Sequence, residues 1–161
     1  MSPIFQQHVR DLMGWMGWSL LCFSAAGLGV MFLPGEWYAS LKKPTWNPPG
    51  WVFGPVWTLL YAMMATAAWR VWRRGGWRLQ GRVLLPFVVQ LLLNALWTPL
   101  FFGWHQPALA FLEILLLWAA IVWTIRVFSG VDRWASLLLW PYLAWVSFAA
   151  VLNGVLWRLN R

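Results

Sequence analysis

Apolar residues run through this chain in five long blocks, roughly 12–33, 51–71, 83–103, 108–128 and 134–157, with most charged residues in the short connections between them. Each block supplies about the 20 apolar residues that a helix needs to cross a hydrocarbon core ~30 Å thick. Barrel strands would instead alternate over ~10 residues. The pattern predicts an all-α integral membrane protein, a five-transmembrane-helix bundle read as one membrane domain over residues 1–161. The connections at 34–50, 72–82, 104–107 and 129–133 are too short to fold separately, so function belongs to the bundle or to the first connection. The first block follows "MSPIFQQHVRDLM" and ends at Pro34 without a small-x-small site. It is long for a signal-peptide core and reads as a retained span.

Composition agrees. Of 161 residues, 61% are hydrophobic and 10% charged, where a soluble domain carries about 25% charged residues. Net charge is +8, but the basic residues flank apolar spans, and no basic domain outside the membrane exists to hold nucleic acid. Contact with the headgroups of the lipid bilayer accounts for them better. Arg10, Arg70, Arg73, Arg74, Arg78, Arg82, Arg126 and Arg133 share the side of the N-terminus, against Lys42, Lys43, Arg158 and Arg161 opposite. In a cytoplasmic membrane that bias places the N-terminus inside and the first connection outside. The single cysteine, Cys22, cannot form an internal disulfide and reads as a small core residue.

Some residues exceed what a bare bundle needs. The first connection leads into "KKPTWNPPGWVFGPVW", whose prolines make it stiff and extended, a lid over residues 34–50 with Lys42 and Lys43 in water. Trp15, Trp37, Trp51, Trp72, Trp77, Trp104, Trp134 and Trp157 lie near span ends, where indoles anchor at the interface. Trp57, Trp97, Trp118, Trp140 and Trp145 fall further inside; they serve helix packing or a planar aromatic ligand. Gln90, Asn94 and Thr98 share one helix face at i, i+4, i+8 and must point into the bundle, for interhelical hydrogen bonding or ligand contact. Trp145, Ala149 and Asn153 form a second such row, with Pro141 expected to kink or loosen the helix one turn earlier. Glu113 lies about one and a half turns into the fourth span, either a functional acid or one that snorkels to the interface. His105 in "GWHQP" is solvated or, less simply, a haem ligand. No Ser-His-Asp set, nucleotide loop, paired carboxylates or Cys/His metal spacing is present.

The segments "EWYASLKKPTWNPPGWVFGPVWTLLY", "NALWTPLFFG" and "PYLAWVSFAAVLN" resemble, in order and spacing, the TspO/MBR family (translocator protein, tryptophan-rich sensory protein, peripheral-type benzodiazepine receptor). The resemblance covers nearly the whole chain from about residue 12. It implies a five-helix bundle, commonly a homodimer, with a pocket closed by the first connection. It also implies a tetrapyrrole ligand, protoporphyrin IX or haem, with no obligatory cofactor. Carried across by motif, the ligand-binding positions are Trp37, Tyr38, Trp57, Asn94, Trp97, Trp145 and Ala149, and an acid is common at the position of Glu113. Eukaryotic relatives carry a tyrosine in a cholesterol motif near the end of the last span; here that region holds Gly154 and Val155. Cholesterol is therefore not an expected partner, and a bacterial tetrapyrrole role fits better. Relatives occupy differing membranes, the bacterial cell membrane being expected here.

Function then reads first as a porphyrin-binding membrane sensor that links tetrapyrrole level to an oxygen or stress response. Propionates would meet Lys42 or Lys43 at the pocket mouth. Light- or oxygen-dependent porphyrin breakdown is the enzymatic alternative, with Trp57 and Trp145 as electron-transfer groups. Tetrapyrrole transport and a structural or assembly role complete the set.

Overall fold

The structure, a computed structural model, describes residues 3–161; Met1 and Ser2 of the N-terminal segment lie outside the described residues. In chain order the helices are α1 (Pro3–Val30), α2 (Glu36–Ser40), α3 (Phe53–Trp72), α4 (Gly76–Thr98), α5 (Pro107–Ser129), α6 (Arg133–Leu137) and α7 (Trp140–Leu159). Five stretches are long and apolar enough to cross a membrane: Ile4–Val30, Gly50–Trp72, Gly76–Gly103, Pro107–Ser129 and Arg133–Leu159. The protein is a multi-pass integral membrane protein, and these spans form a five-helix bundle.

Helix ends follow backbone chemistry rather than the apolar pattern. α1 starts well before residue 12, because neither glycine nor proline interrupts the polar residues 6–11. α4 starts at Gly76 rather than at residue 83, so the second connection shrinks to a tight turn. Gly76 has φ +63°, a left-handed conformation that suits glycine. At its far end α4 widens over Pro99–Gly103, where the Trp104 N–H bonds the Pro99 carbonyl at 2.8 Å and the Gln106 N–H bonds that of Leu100 at 3.0 Å. Pro99 has no N–H with which to continue the regular ladder. Pro141 does more than kink the last span: helix stops at Leu137 and resumes at Trp140, leaving α6 and α7.

α1 packs on α3 and α4, α4 on α5, and α5 on α7, while α6 sits against α3 and α5. α3 and α7 close the ring with only sparse backbone contact. Aromatic rings bridge them: Phe53 meets Trp145 at 5.8 Å and Trp57 meets Tyr142 at 6.3 Å between centroids. The α5–α6 connection is pinned by Asp132, which accepts from the Ala135 N–H at 3.0 Å and forms salt bridges to Arg70 at 3.0 Å and Arg74 at 3.1 Å. Burial pushes the Asp132 carboxyl up, but the Ala135 N–H and the two guanidinium groups outweigh it and hold the pKa below the ordinary value. Cys22 is buried and free.

Candidate ligand site at the lid end of the bundle

A polar chain crosses the apolar core. Tyr61 donates to Asn94 Oδ1 at 2.5 Å, Asn94 Nδ2 donates to the Tyr142 hydroxyl at 3.0 Å, and Tyr142 donates to Gln90 Oε1 at 2.9 Å. Asn94 is 5% exposed, Gln90 1% and Tyr142 0%. The face containing Gln90 and Asn94 thus points inward and binds α3 to α7. Thr98, next in that row, instead lies beside Gly29 of α1. The second row behaves similarly: Asn153 accepts from Trp97 Nε1 at 3.1 Å and donates to the Pro107 carbonyl at 2.8 Å, joining α4, α5 and α7.

Above this layer the rings gather. Trp57 lies 5.4 Å from Tyr61, Trp97 stacks on Phe101 at 5.0 Å, and Trp145 lies 5.5 Å from Phe148. Trp57, Trp97, Trp145 and Ala149 are half-buried against the main core, whereas Trp37 and Tyr38 pack with Trp97 against a smaller cluster around Phe101. Trp97 is the residue common to both groups. Of the five interior tryptophans, Trp118 and Trp140 do not converge with the others. They are 41% and 54% exposed, and the Trp118 indole is satisfied by Ser147 at 2.9 Å.

The lid covers these rings. α2 brings Trp37 edge-on to Phe101 at 5.7 Å and flat against His105 at 4.3 Å, with 15° between the rings. His105 holds φ +54°, an uncommon conformation for a residue with a side chain. Tyr38 lies edge-on to Phe102 at 5.3 Å and donates to Asn47 Oδ1 at 3.2 Å. Burial raises the Tyr38 phenol above the ordinary tyrosine value. Trp46 reaches Phe148 at 5.9 Å, so the proline-rich half of the lid touches the same ring that touches Trp145. Asn160, beyond α7, ties the lid from both sides: its Oδ1 accepts the Lys42 N–H at 2.9 Å and its Nδ2 donates to the Lys42 carbonyl at 3.0 Å.

Two expectations about charge change. Lys43 is half-buried rather than fully wet; its ammonium donates to the Ala39 and Leu41 carbonyls at 3.1 Å each and lies 4.6 Å over the Tyr38 ring. Lys42 is the exposed one. Glu113 does not snorkel: it is 5% exposed and its carboxyl oxygens have no hydrogen-bond partner among the described residues. Among the described residues no group of three or more His, Cys, Asp or Glu could hold a metal ion.

Sequence reasoning missed Tyr61, Tyr142, Trp46, Phe148 and Asn160. Tyr61 had a signal, being i+4 from Trp57 and so on its face. Asn160 had none, because its partner is the distant backbone of Lys42.

Comparison with known proteins agrees with this architecture. The TspO/MBR family matches residues 13–158. The chain is 44% identical to tryptophan-rich protein TspO of Chlorobaculum tepidum over 144 residues, covering 87% of this chain and 91% of that one. It is 41% identical to protein CrtK of Rhodobacter capsulatus, covering 86% and 88%. With the translocator protein of Homo sapiens it shares 41% identity over 90% and 89% of the two chains. Helices, aromatic lid and motif order therefore lead to one conclusion: the chain belongs to the TspO/MBR family.

Proposed function

We propose that the protein binds a porphyrin, protoporphyrin IX or haem, between the lid and the α3–α7 seam, and acts as a sensor of tetrapyrrole level. The observation that carries this reading is the set of broad half-buried rings, Trp57, Trp97 and Trp145, packed against the core toward the end of the bundle where the lid adds Trp37, Tyr38 and Trp46. Half-buried indoles are what a flat apolar macrocycle stacks on, and Ala149, one turn from Trp145, puts a small side chain on the same helix face. The exposed Lys42 would meet a propionate. Asn94, held between two phenols, supports the floor rather than reaching the ligand. Binding beneath the lid would change the Trp37–His105 stack, which gives ligand occupancy a structural readout outside the membrane core.

The test is titration of protoporphyrin IX against intrinsic fluorescence in detergent. Trp37→Phe and Trp145→Ala should each weaken binding about tenfold, the scale of ~1.4 kcal/mol. Unchanged affinity in both removes this pocket.

A second reading, light-dependent breakdown of the bound porphyrin, draws on the contact of Trp57 with Tyr61, whose hydroxyl is already hydrogen-bonded to Asn94. The photoexcited porphyrin would pass an electron to dioxygen and recover one from Trp57, with the Tyr61 phenol in contact as the next donor. Porphyrin absorbance decaying under illumination no faster with protein than without it excludes this activity.

A further inference from the structure

The end of the bundle opposite the lid carries an open groove of about 650 Å³ between the first half of α1 and the α3–α4 turn. Arg10 and Gln6 line its outer end, and Met13, Gly14, Gly17 and Leu21 continue it along α1. Trp72 and Trp77, flanking the turn, supply the facing wall. The glycines create the space in different ways. A Cβ on Gly14 would collide with the Trp72 ring, so glycine lets that indole lie against the helix. A Cβ on Gly17 would meet nothing within 4 Å and would project into open space. Trp18 backs the groove, buried and 5.5 Å from Trp77.

Dimensions and charge point to one kind of occupant. From Arg10 to Leu21 a helix rises ~16 Å at ~1.5 Å per residue, close to half of a ~30 Å hydrocarbon core. The groove thus runs from a charged rim to about the depth of one leaflet. Arg10 forms no salt bridge among the described residues, whereas Arg74 is engaged by Asp132 at 3.1 Å and Arg73 lies 4.9 Å over the Trp69 ring. The neighbouring acid, Asp11, forms no salt bridge to Arg10 among the described residues; its Oδ1 is buried without a hydrogen-bond partner there, and its backbone carbonyl accepts from the Trp69 indole at 2.8 Å. A basic rim over an apolar channel of one-leaflet length matches a phosphate joined to an acyl chain.

We propose that this groove is a binding site for an anionic phospholipid, with its phosphate at Arg10 and one acyl chain along Gly14, Gly17 and Leu21. The site is separate from the lid end and needs no porphyrin. Lipid held there would fasten the first half of α1 to the α3–α4 turn.

Native mass spectrometry of the full chain in detergent, with equal amounts of phosphatidylglycerol and phosphatidylcholine of identical acyl chains, tests this. Phosphatidylglycerol should be retained about fivefold over phosphatidylcholine, the effect of one arginine at an anionic surface. Arg10→Gln should bring the ratio to about one. Gly17→Leu, whose Cβ would meet nothing within 4 Å and whose side chain would project into the channel, should lower retention of both lipids while leaving the thermal midpoint without lipid within a few degrees. Equal retention of the two lipids by the parent protein overturns the proposal, as does a preference that survives Arg10→Gln. Loss of a dimer in Gly17→Leu with lipid retention unchanged would also overturn it, by showing that a second copy fills the groove.

Discussion

Asn94 offers the sharpest test of how this bundle is held together. Replacing it with leucine, similar in size, removes the acceptor of the Tyr61 hydroxyl and one partner of the Tyr142 hydroxyl. Tyr142 keeps Gln90 as its acceptor, so the damage concentrates on Tyr61, which is buried. A buried donor left without a partner costs ~1–3 kcal/mol, while interhelical hydrogen bonds within membranes average ~0.6 and reach ~1.7 kcal/mol. The larger range applies if Tyr61 stays in place, the smaller if it rotates to find another acceptor. We expect Asn94→Leu to destabilise the protein by about 1.5 kcal/mol. The double variant with Tyr61→Phe removes the stranded hydroxyl and should recover about 1 kcal/mol relative to additivity.

Denaturant unfolding in mixed micelles, followed by tryptophan fluorescence, measures all four members of that cycle. A loss below ~0.3 kcal/mol with additive effects would refute the assignment of Asn94 as a structural tie. A direct ligand role predicts the reverse: porphyrin affinity falls in Asn94→Leu while stability stays near that of the parent. The two assays together separate the alternatives that the helical spacing left open.

Asn160→Ala removes both hydrogen bonds to the Lys42 backbone and should speed amide exchange in residues 36–47 about tenfold, with global stability changing by less than ~1 kcal/mol; hydrogen-exchange mass spectrometry checks both. Asp132→Asn removes two ion pairs and weakens a helix cap, and should cost ~1–2 kcal/mol at pH 7 by thermal unfolding. Because the folded pKa of Asp132 lies below its ordinary value, its contribution is present above the unfolded value of ~3.9 and lost as pH falls through the folded pKa. The gap between parent and variant should therefore narrow as pH falls below about 4. Gly154→Ala places a Cβ 2.9 Å from Phe111 Cε2, forcing that ring aside at ~1 kcal/mol; a midpoint unchanged within a degree would show that Phe111 moves freely.

How much of this was legible beforehand depended on where each residue's partner lay. The spans could be read because lipid imposes one demand on twenty successive residues, and no local preference competes with it. Asn94 could be placed inward for the same reason, since an amide in a membrane must find a partner. Its partners, Tyr61 on α3 and Tyr142 on α7, depend on which helices adjoin α4, and a single helix's periodicity carries nothing about its neighbours. The interior tryptophans show the same limit. Depth along the chain put Trp118 and Trp140 beside Trp57, Trp97 and Trp145, but rotation about the helix axis decides whether an indole meets lipid or the bundle. Ser147 on α7 is enough to satisfy Trp118 at the outer surface. The lid is the clearest case. Its prolines announced a stiff segment, yet stiffness alone does not say where the segment rests. That is fixed by the Asn160 side chain against Lys42, by Trp37 against His105, and by Trp46 against Phe148. Two of these attachments end on or just beyond α7 and the third in the α4–α5 connection, while Tyr38 adds another against Phe102. A ligand entering beneath Trp37 would have to displace that indole from both His105 and Phe101, and His105 is the one non-glycine position with positive φ among the described residues.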